Sequence, residues 1–141
     1  MTNDNSLRRI TVPKEIATIV GLKDDRLEAQ VGMDRAEWAQ FLGNITVKED
    51  YAFIVGLVAN GKVKKYMVAV NAVFPPISRS VLILYQNFFE DNENGLAALE
   101  EVKAWATAKG ARKLSIHTLY PKINSIFGFK KEKGESMYMD L

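Results

Sequence analysis

A chain of 141 residues that is 48% hydrophobic and 26% charged matches an ordinary globular protein, which excludes both the low-hydrophobicity regime of disorder and the continuous apolarity of a membrane resident. It has no cysteine and one histidine, His117, so disulfides, thiolate nucleophiles, zinc–thiolate sites and histidine-rich metal sites are excluded, and only carboxylates remain for hard cations. A formal net charge of +2, with no block of like charge, gives no electrostatic footprint for nucleic acid.

No repeat, low-complexity tract or linker divides the chain, so one domain is expected over residues 1–141. The longest apolar runs, Ala52 to Ala59 and Val81 to Tyr85, are far shorter than the ~20 residues that cross a bilayer. The polar start, Met1 to Asn5, reads as a frayed end and as neither signal peptide nor membrane anchor. The absence of cysteine fits a cytoplasmic setting.

Thr11-Val12-Pro13-Lys14-Glu15 predicts a helix start with proline near the first helical position, an apolar face of Ile16, Ile19 and Val20, and a stop at Gly21. A second helix is predicted over Asp34 to Leu42, capped by Asp34 and ended by Gly43-Asn44, with Trp38, Phe41 and Leu42 at helical spacing. Tyr51 to Val58 and Tyr66 to Phe74 are β-rich runs flanking Asn60-Gly61, the dipeptide that best accepts the positive φ angles of a tight hairpin turn. Pro75-Pro76 breaks the pattern, and a third strand is predicted from Ser80 to Phe89.

From Gly95 the apolar period lengthens to that of a helix, with Leu96, Leu99, Val102 and Ala106 on one face and a stop at Lys109-Gly110. Lys113 to Thr118 alternates as a fourth strand with Leu114 and Ile116 on one face, which makes strand, helix and strand a crossover unit. Phe129 to Glu132 and Ser136 to Leu141 read as a terminal hairpin around Lys133-Gly134-Glu135.

In this order, residues 51–141 resemble the GCN5-related N-acetyltransferase (GNAT) family. Asn92-Glu93-Asn94-Gly95-Leu96-Ala97 matches the last two defined positions of the family's pyrophosphate loop, Gln/Arg-x-x-Gly-x-Gly/Ala, with Asn92 where Gln or Arg is usual. Ala108 to Leu114 and Phe127-Gly128-Phe129 stand where the family's following strand and Gly-Phe corner stand. The resemblance implies an α/β fold with a mixed, mostly antiparallel central sheet flanked by helices, residues 51–141 forming the acyl-CoA-binding part and residues 1–50 a variable helical part.

The family's cosubstrate is acetyl-CoA. The resemblance places its pyrophosphate at Asn92, Asn94, Gly95, Leu96 and Ala97, where a helix N-terminus offers unpaired N–H groups and partial positive charge. It places the pantetheine and the thioester carbonyl against the strand end at Gln86, Asn87 and Phe88. Glu90, sheltered by Phe88 and Phe89, is the candidate general base, set against its reading as a solvated strand-end carboxylate. Where the family often carries a tyrosine acid, four residues before the glycine of Gly-Phe, this chain has Asn124; Tyr120, one helical turn earlier, is the substitute candidate.

His117 reads as a polar residue on a half-buried strand or as a base acting through water. Tyr85, Phe88, Phe89 and Tyr120 read as core or as the lining of an acceptor cleft. Lys130, Lys131 and Lys133 read as a solvated edge. Asp91 and Glu93 suit a helix start but repel a pyrophosphate.

Two functions follow. One is acyl transfer from acetyl-CoA to an amine by direct attack. The other is a GNAT-fold binding or structural protein that has lost coenzyme binding and catalysis. Residues 1–50 match no nameable pattern, which leaves a small amine, a protein lysine and a protein N-terminus open as acceptors, and leaves a homodimer open as well; no nucleic-acid or membrane partner is expected.

Overall fold

The structure is a computed structural model that describes residues 6–22, 24, 26–72, 80–88, 91–116, 128–130 and 139–140. Its elements in chain order are β1 (Ser6–Arg9), α1 (Pro13–Val20), α2 (Leu27–Val31), α3 (Arg35–Thr46), β2 (Ala52–Ala59), β3 (Lys62–Ala72), β4 (Ser80–Gln86), α4 (Asn92–Ala108) and β5 (Lys113–Ile116). The strands form a single sheet in the order β1-β2-β3-β4-β5; neighbours from β1 to β4 run antiparallel and β5 lies parallel to β4. This is the mixed, mostly antiparallel α/β architecture that the resemblance implied. No helix among the described residues is long and apolar enough to cross a membrane.

The β2–β3 hairpin turns where the sequence predicts, with Asn60 at φ 54° and Gly61 at φ 73°. Strand β2 is buried along its whole length, as a central strand covered on both faces must be. Its alternate residues serve two cores. Ala52, Ile54 and Val58 face α1 and α3, joined by Ile16, Ile19, Trp38, Leu42 and Ile45. Phe53, Val55 and Leu57 face α4, joined by Ala98, Leu99, Val102 and Trp105. Gly56 interrupts the first set because a Cβ there would sit 3.1 Å from side-chain atoms of both Ile10 and Val63.

Helix α1 starts at Pro13 and stops at Gly21 as predicted. Helix α3 is capped by Asp34, whose Oδ1 accepts the Glu37 N–H at 2.8 Å while Glu37 Oε1 accepts the Asp34 N–H at 3.2 Å. It does not stop at Gly43-Asn44 but continues to Thr46, because Ile45 extends the apolar stripe of Trp38 and Leu42 into the core. Strand β1 and the short helix α2 are additional to the sequence reading. Strand β3 begins at Lys62, four residues earlier than predicted, and β4 ends at Gln86, three residues earlier. The predicted strand positions His117 and Thr118, the terminal hairpin apart from residues 129, 130, 139 and 140, and the first five residues lie outside the described residues.

Helix α4 starts at Asn92, three residues before the predicted Gly95, and ends just before Lys109-Gly110, with Gly110 at φ 81°. Leu114 and Ile116 of β5 pack with it against the second core, as their alternation predicts, and Phe129 of the Gly-Phe pair joins them.

Candidate functional site

The end of β4 is shaped by a bulge. Val68 pairs with Tyr85 but Ala69 pairs with Ile83, so Leu84 is the extra residue. Before it the strand alternates regularly, with Val81 and Ile83 on the α4 face and Leu82 on the other. After it Tyr85 joins Leu82 and Leu84 on the α1/α3 face, and Phe88 packs on the α4 face. An unbulged strand would have turned Tyr85 toward α4.

Among the described residues the parallel pairing of β4 with β5 runs from Ser80↔Lys113 to Ile83↔Ile116, whereas β3 follows β4 on to Gln86. Asn87 then extends the β3 ladder with its side chain: its Oδ1 accepts the Tyr66 N–H at 2.6 Å and its own N–H donates to Tyr66 O at 3.2 Å. The Phe88 N–H donates to Gln86 Oε1 at 3.3 Å. Gln86 and Phe88 are buried and Asn87 is half-buried. These three consecutive residues are the ones that the resemblance assigned to the pantetheine.

Helix α4 starts at Asn92, four residues after Phe88. Asp91 caps it: Oδ1 accepts the Asn94 N–H at 3.1 Å and Oδ2 accepts the Asn94 side-chain amide at 2.6 Å. The Gly95 N–H makes the first helical bond, to Asp91 O at 2.8 Å. The Asn94 side chain, and then its backbone N–H, hold the Asp91 carboxyl below the usual carboxylate range. Lys65 Nζ stands 4.0 Å from Asp91 Oδ2. An anion at this helix end therefore meets the N–H groups of Asn92 and Glu93 directly and reaches that of Asn94 only by displacing Asp91, with Lys65 alongside. Gly95 is buried, and Leu96 and Ala97 face solvent.

On the opposite face of the sheet, a cleft of about 270 Å³ opens between α1, α2 and α3, lined among others by Ile19, Leu22, Asp24, Glu28, Trp38 and Tyr66. A polar network runs from its lining residues Asp24, Trp38 and Tyr66 into the core beneath. The Trp38 indole N–H donates to the Tyr66 hydroxyl at 3.0 Å, the Tyr85 hydroxyl donates to Asp24 Oδ2, and Asp24 Oδ1 accepts the Arg26 N–H at 3.1 Å. The Tyr66 and Tyr85 rings lie 5.7 Å apart between centroids. Burial raises both phenol pKa values, and for Tyr85 the Asp24 carboxylate raises it further, so both hydroxyls stay protonated at every physiological pH.

Tyr85 and Phe88 are thus core residues, the first of the two readings open for them. Phe89, Glu90, His117, Tyr120 and Asn124 lie outside the described residues. Sequence reasoning passed over Asp24, Glu28, Tyr66 and Lys65. Asp24 sits in the mixed-charge run Lys23-Asp24-Asp25-Arg26, where nothing separates a buried carboxylate from solvated ones. Tyr66 and Trp38 could be read only as strand and helix-face aromatics.

No protein-family model matches the sequence, and no curated protein matches it. Solved structures do match the fold over nearly the whole chain. An aminoglycoside N-acetyltransferase in complex with CoA is 16% identical, with a TM-score of 0.72 over 99% of this chain and 97% of that one. A predicted acetyltransferase from Clostridium acetobutylicum with acetyl-CoA is 14% identical, with a TM-score of 0.73 over 97% of this chain and 96% of that one. Glucosamine-6-phosphate N-acetyltransferase from Arabidopsis thaliana is 13% identical, with a TM-score of 0.60 over 97% of this chain and 99% of that one. The chain has the fold of these acetyltransferases.

Proposed function

We propose that this chain is a divergent GNAT enzyme that transfers an acetyl group from acetyl-CoA to an amine. The observation that carries this reading is the strand end at Gln86–Phe88 set beside the N-terminus of α4, in a fold whose solved examples include complexes with CoA and acetyl-CoA. Acetyl-CoA supplies an activated thioester, and amine attack on it needs no covalent enzyme intermediate, which suits a chain without cysteine.

The chain's own residues then divide the work. The α4 N-terminus, through the N–H groups of Asn92 and Glu93 with Lys65 beside them, takes the pyrophosphate, and Asn94, Gly95, Leu96 and Ala97 build the helical turns that hold those groups in place. Asn87, tied to Tyr66 by two hydrogen bonds, fixes the backbone against which the thioester lies, and Gln86 and Phe88 exclude water there. Glu90, two residues beyond Phe88, takes up the amine proton, and Tyr120 returns a proton to the departing thiolate. The acceptor is an amine, on a small molecule or a protein.

One observation favours a second reading, a non-catalytic member of the fold: Asp91 places a carboxylate on the helix end that an incoming anion would need. The deciding experiment incubates the full chain with acetyl-CoA and a panel of primary amines and measures thiol release together with the mass of the products. An acetylated product whose yield falls at least about tenfold in Glu90→Gln supports the enzyme. Absence of product from every amine, with acetyl-CoA still bound, selects the non-catalytic reading.

A further inference from the structure

Both ends of the proposed coenzyme site are occupied by the chain's own side chains, each of the chemical kind that the coenzyme would present. At the start of α4, Asp91 Oδ1 accepts the Asn94 N–H and so sets an anionic oxygen on the helix N-terminus. At the end of β4 the occupant is an amide carbonyl. Gln86 is 1% exposed, and its Oε1 accepts the Phe88 N–H, two residues on, at 3.3 Å. This contact is not part of the sheet. The Asn87 N–H continues the β3 ladder to Tyr66 O, and the pairing of β4 with β5 ends at Ile83↔Ile116 among the described residues. The Phe88 N–H is thus taken up by a side chain, because a buried donor needs an acceptor.

A thioester presents the same group as Gln86, a carbonyl oxygen, whereas CoA ends in a thiol, a weak acceptor; both carry the pyrophosphate. We propose that Gln86 is a specificity-determining residue of the coenzyme site: its side-chain carbonyl holds the Phe88 N–H until the acetyl carbonyl takes its place. The acetyl group then binds by exchange, one N–H to carbonyl bond broken for each one made, and contributes little net affinity. Acetyl-CoA and CoA therefore bind almost equally, and the product competes with the substrate on even terms. Asp91 is exchanged in the same way, but for the pyrophosphate, so the two side chains act on different parts of the ligand. The inference rests on the acetyltransferase reading, which places a thioester at this strand end.

Calorimetric titration of the full chain with acetyl-CoA and with CoA reads the exchange as a ratio of affinities. In wild type the two Kd values should lie within about twofold of each other. Gln86→Met, which keeps the length and the buried stem of the side chain, should tighten acetyl-CoA about fivefold and leave CoA unchanged. Asp91→Asn should instead tighten both ligands equally, since both carry the pyrophosphate. In NMR spectra of wild type, where no substitution bears on folding, acetyl-CoA should shift the Phe88 backbone amide and the Gln86 side-chain amide, and CoA should leave both in place. A wild type that already prefers acetyl-CoA by at least about tenfold, a ratio that Gln86→Met leaves unchanged, or resonances that respond alike to the two ligands overturns the role of Gln86 and leaves the coenzyme reading standing. Binding of neither ligand to wild type or to either variant overturns the coenzyme reading and the role of Gln86 with it.

Discussion

The two faces of the sheet are built from the same strands but to different plans. On the α4 face, Val55, Ala69, Val81, Ile83, Phe88, Ala98 and Val102 make a core of apolar side chains, into which Trp105 carries an indole N–H with no bonding partner among the described residues. On the α1/α3 face, Trp38, Tyr66 and Tyr85 carry polar atoms into the core and lead to Asp24 and the cleft. The first arrangement is a support, in which stability comes from area removed from water. The second gives up some of that simplicity to hold polar groups in fixed positions. The bulge at Leu84 is the point where β4 passes from one plan to the other.

If that division is right, substitutions on the two faces should differ in kind. The largest effect is expected on the support face: Phe88→Ala should destabilise by about 3–5 kcal/mol in chemical denaturation, since its ring is fully buried among apolar neighbours. Tyr85→Phe on the other face keeps the ring and removes one bond to Asp24, which retains Arg26; a loss of about 1–2 kcal/mol is expected. A loss from Tyr85→Phe as large as that from Phe88→Ala would mean that the polar network is itself a main stabiliser, and the comparison would fail.

Asp91 sharpens the comparison at the edge of the support face. Asp91→Ala removes the cap of α4 and should cost about 1 kcal/mol. Asp91→Asn should keep the cap and remove the charge, leaving thermal stability nearly unchanged while tightening acetyl-CoA binding about fivefold. Because the folded-state Asp91 pKa is lowered, its contribution is present above the usual carboxylate range and is lost as pH falls through the folded value. The stability difference between wild type and Asp91→Ala should therefore shrink on acidification below about pH 4, which denaturation at stepped pH reads directly. The smallest effect is expected at the exposed Glu100–Lys103 pair, where Glu100→Gln should change stability by less than about 0.5 kcal/mol.

Much of the framework was legible from local chemistry. Asn60-Gly61 announced the hairpin, Pro13 and Asp34 the starts of α1 and α3, and Lys109-Gly110 the end of α4, because turns and caps depend on residues adjacent in sequence. What could not be read depended on partners distant in the chain. Strand β1 carries Arg8 and Arg9, and it is a strand because β2 offers an edge to pair with. The five residues of α2 are too few to show a period. The glycine of Asn92-Glu93-Asn94-Gly95 drew the predicted helix start to Gly95, but the Asp91 carboxylate pulls it back to Asn92. The strand-end half of the candidate site was visible through its resemblance. The cleft half was not, since nothing local shows that a bulge will carry Tyr85 to Asp24, 61 positions earlier in the chain.

The central claim is that the α4 N-terminus and the end of β4 receive acetyl-CoA, and calorimetric titration of wild type and Asp91→Asn with acetyl-CoA, with CoA as control, tests it most directly. Binding in the micromolar range, tighter in Asp91→Asn by about fivefold, is the expected result. Absence of heat and of any thermal shift in both proteins at millimolar acetyl-CoA would contradict it.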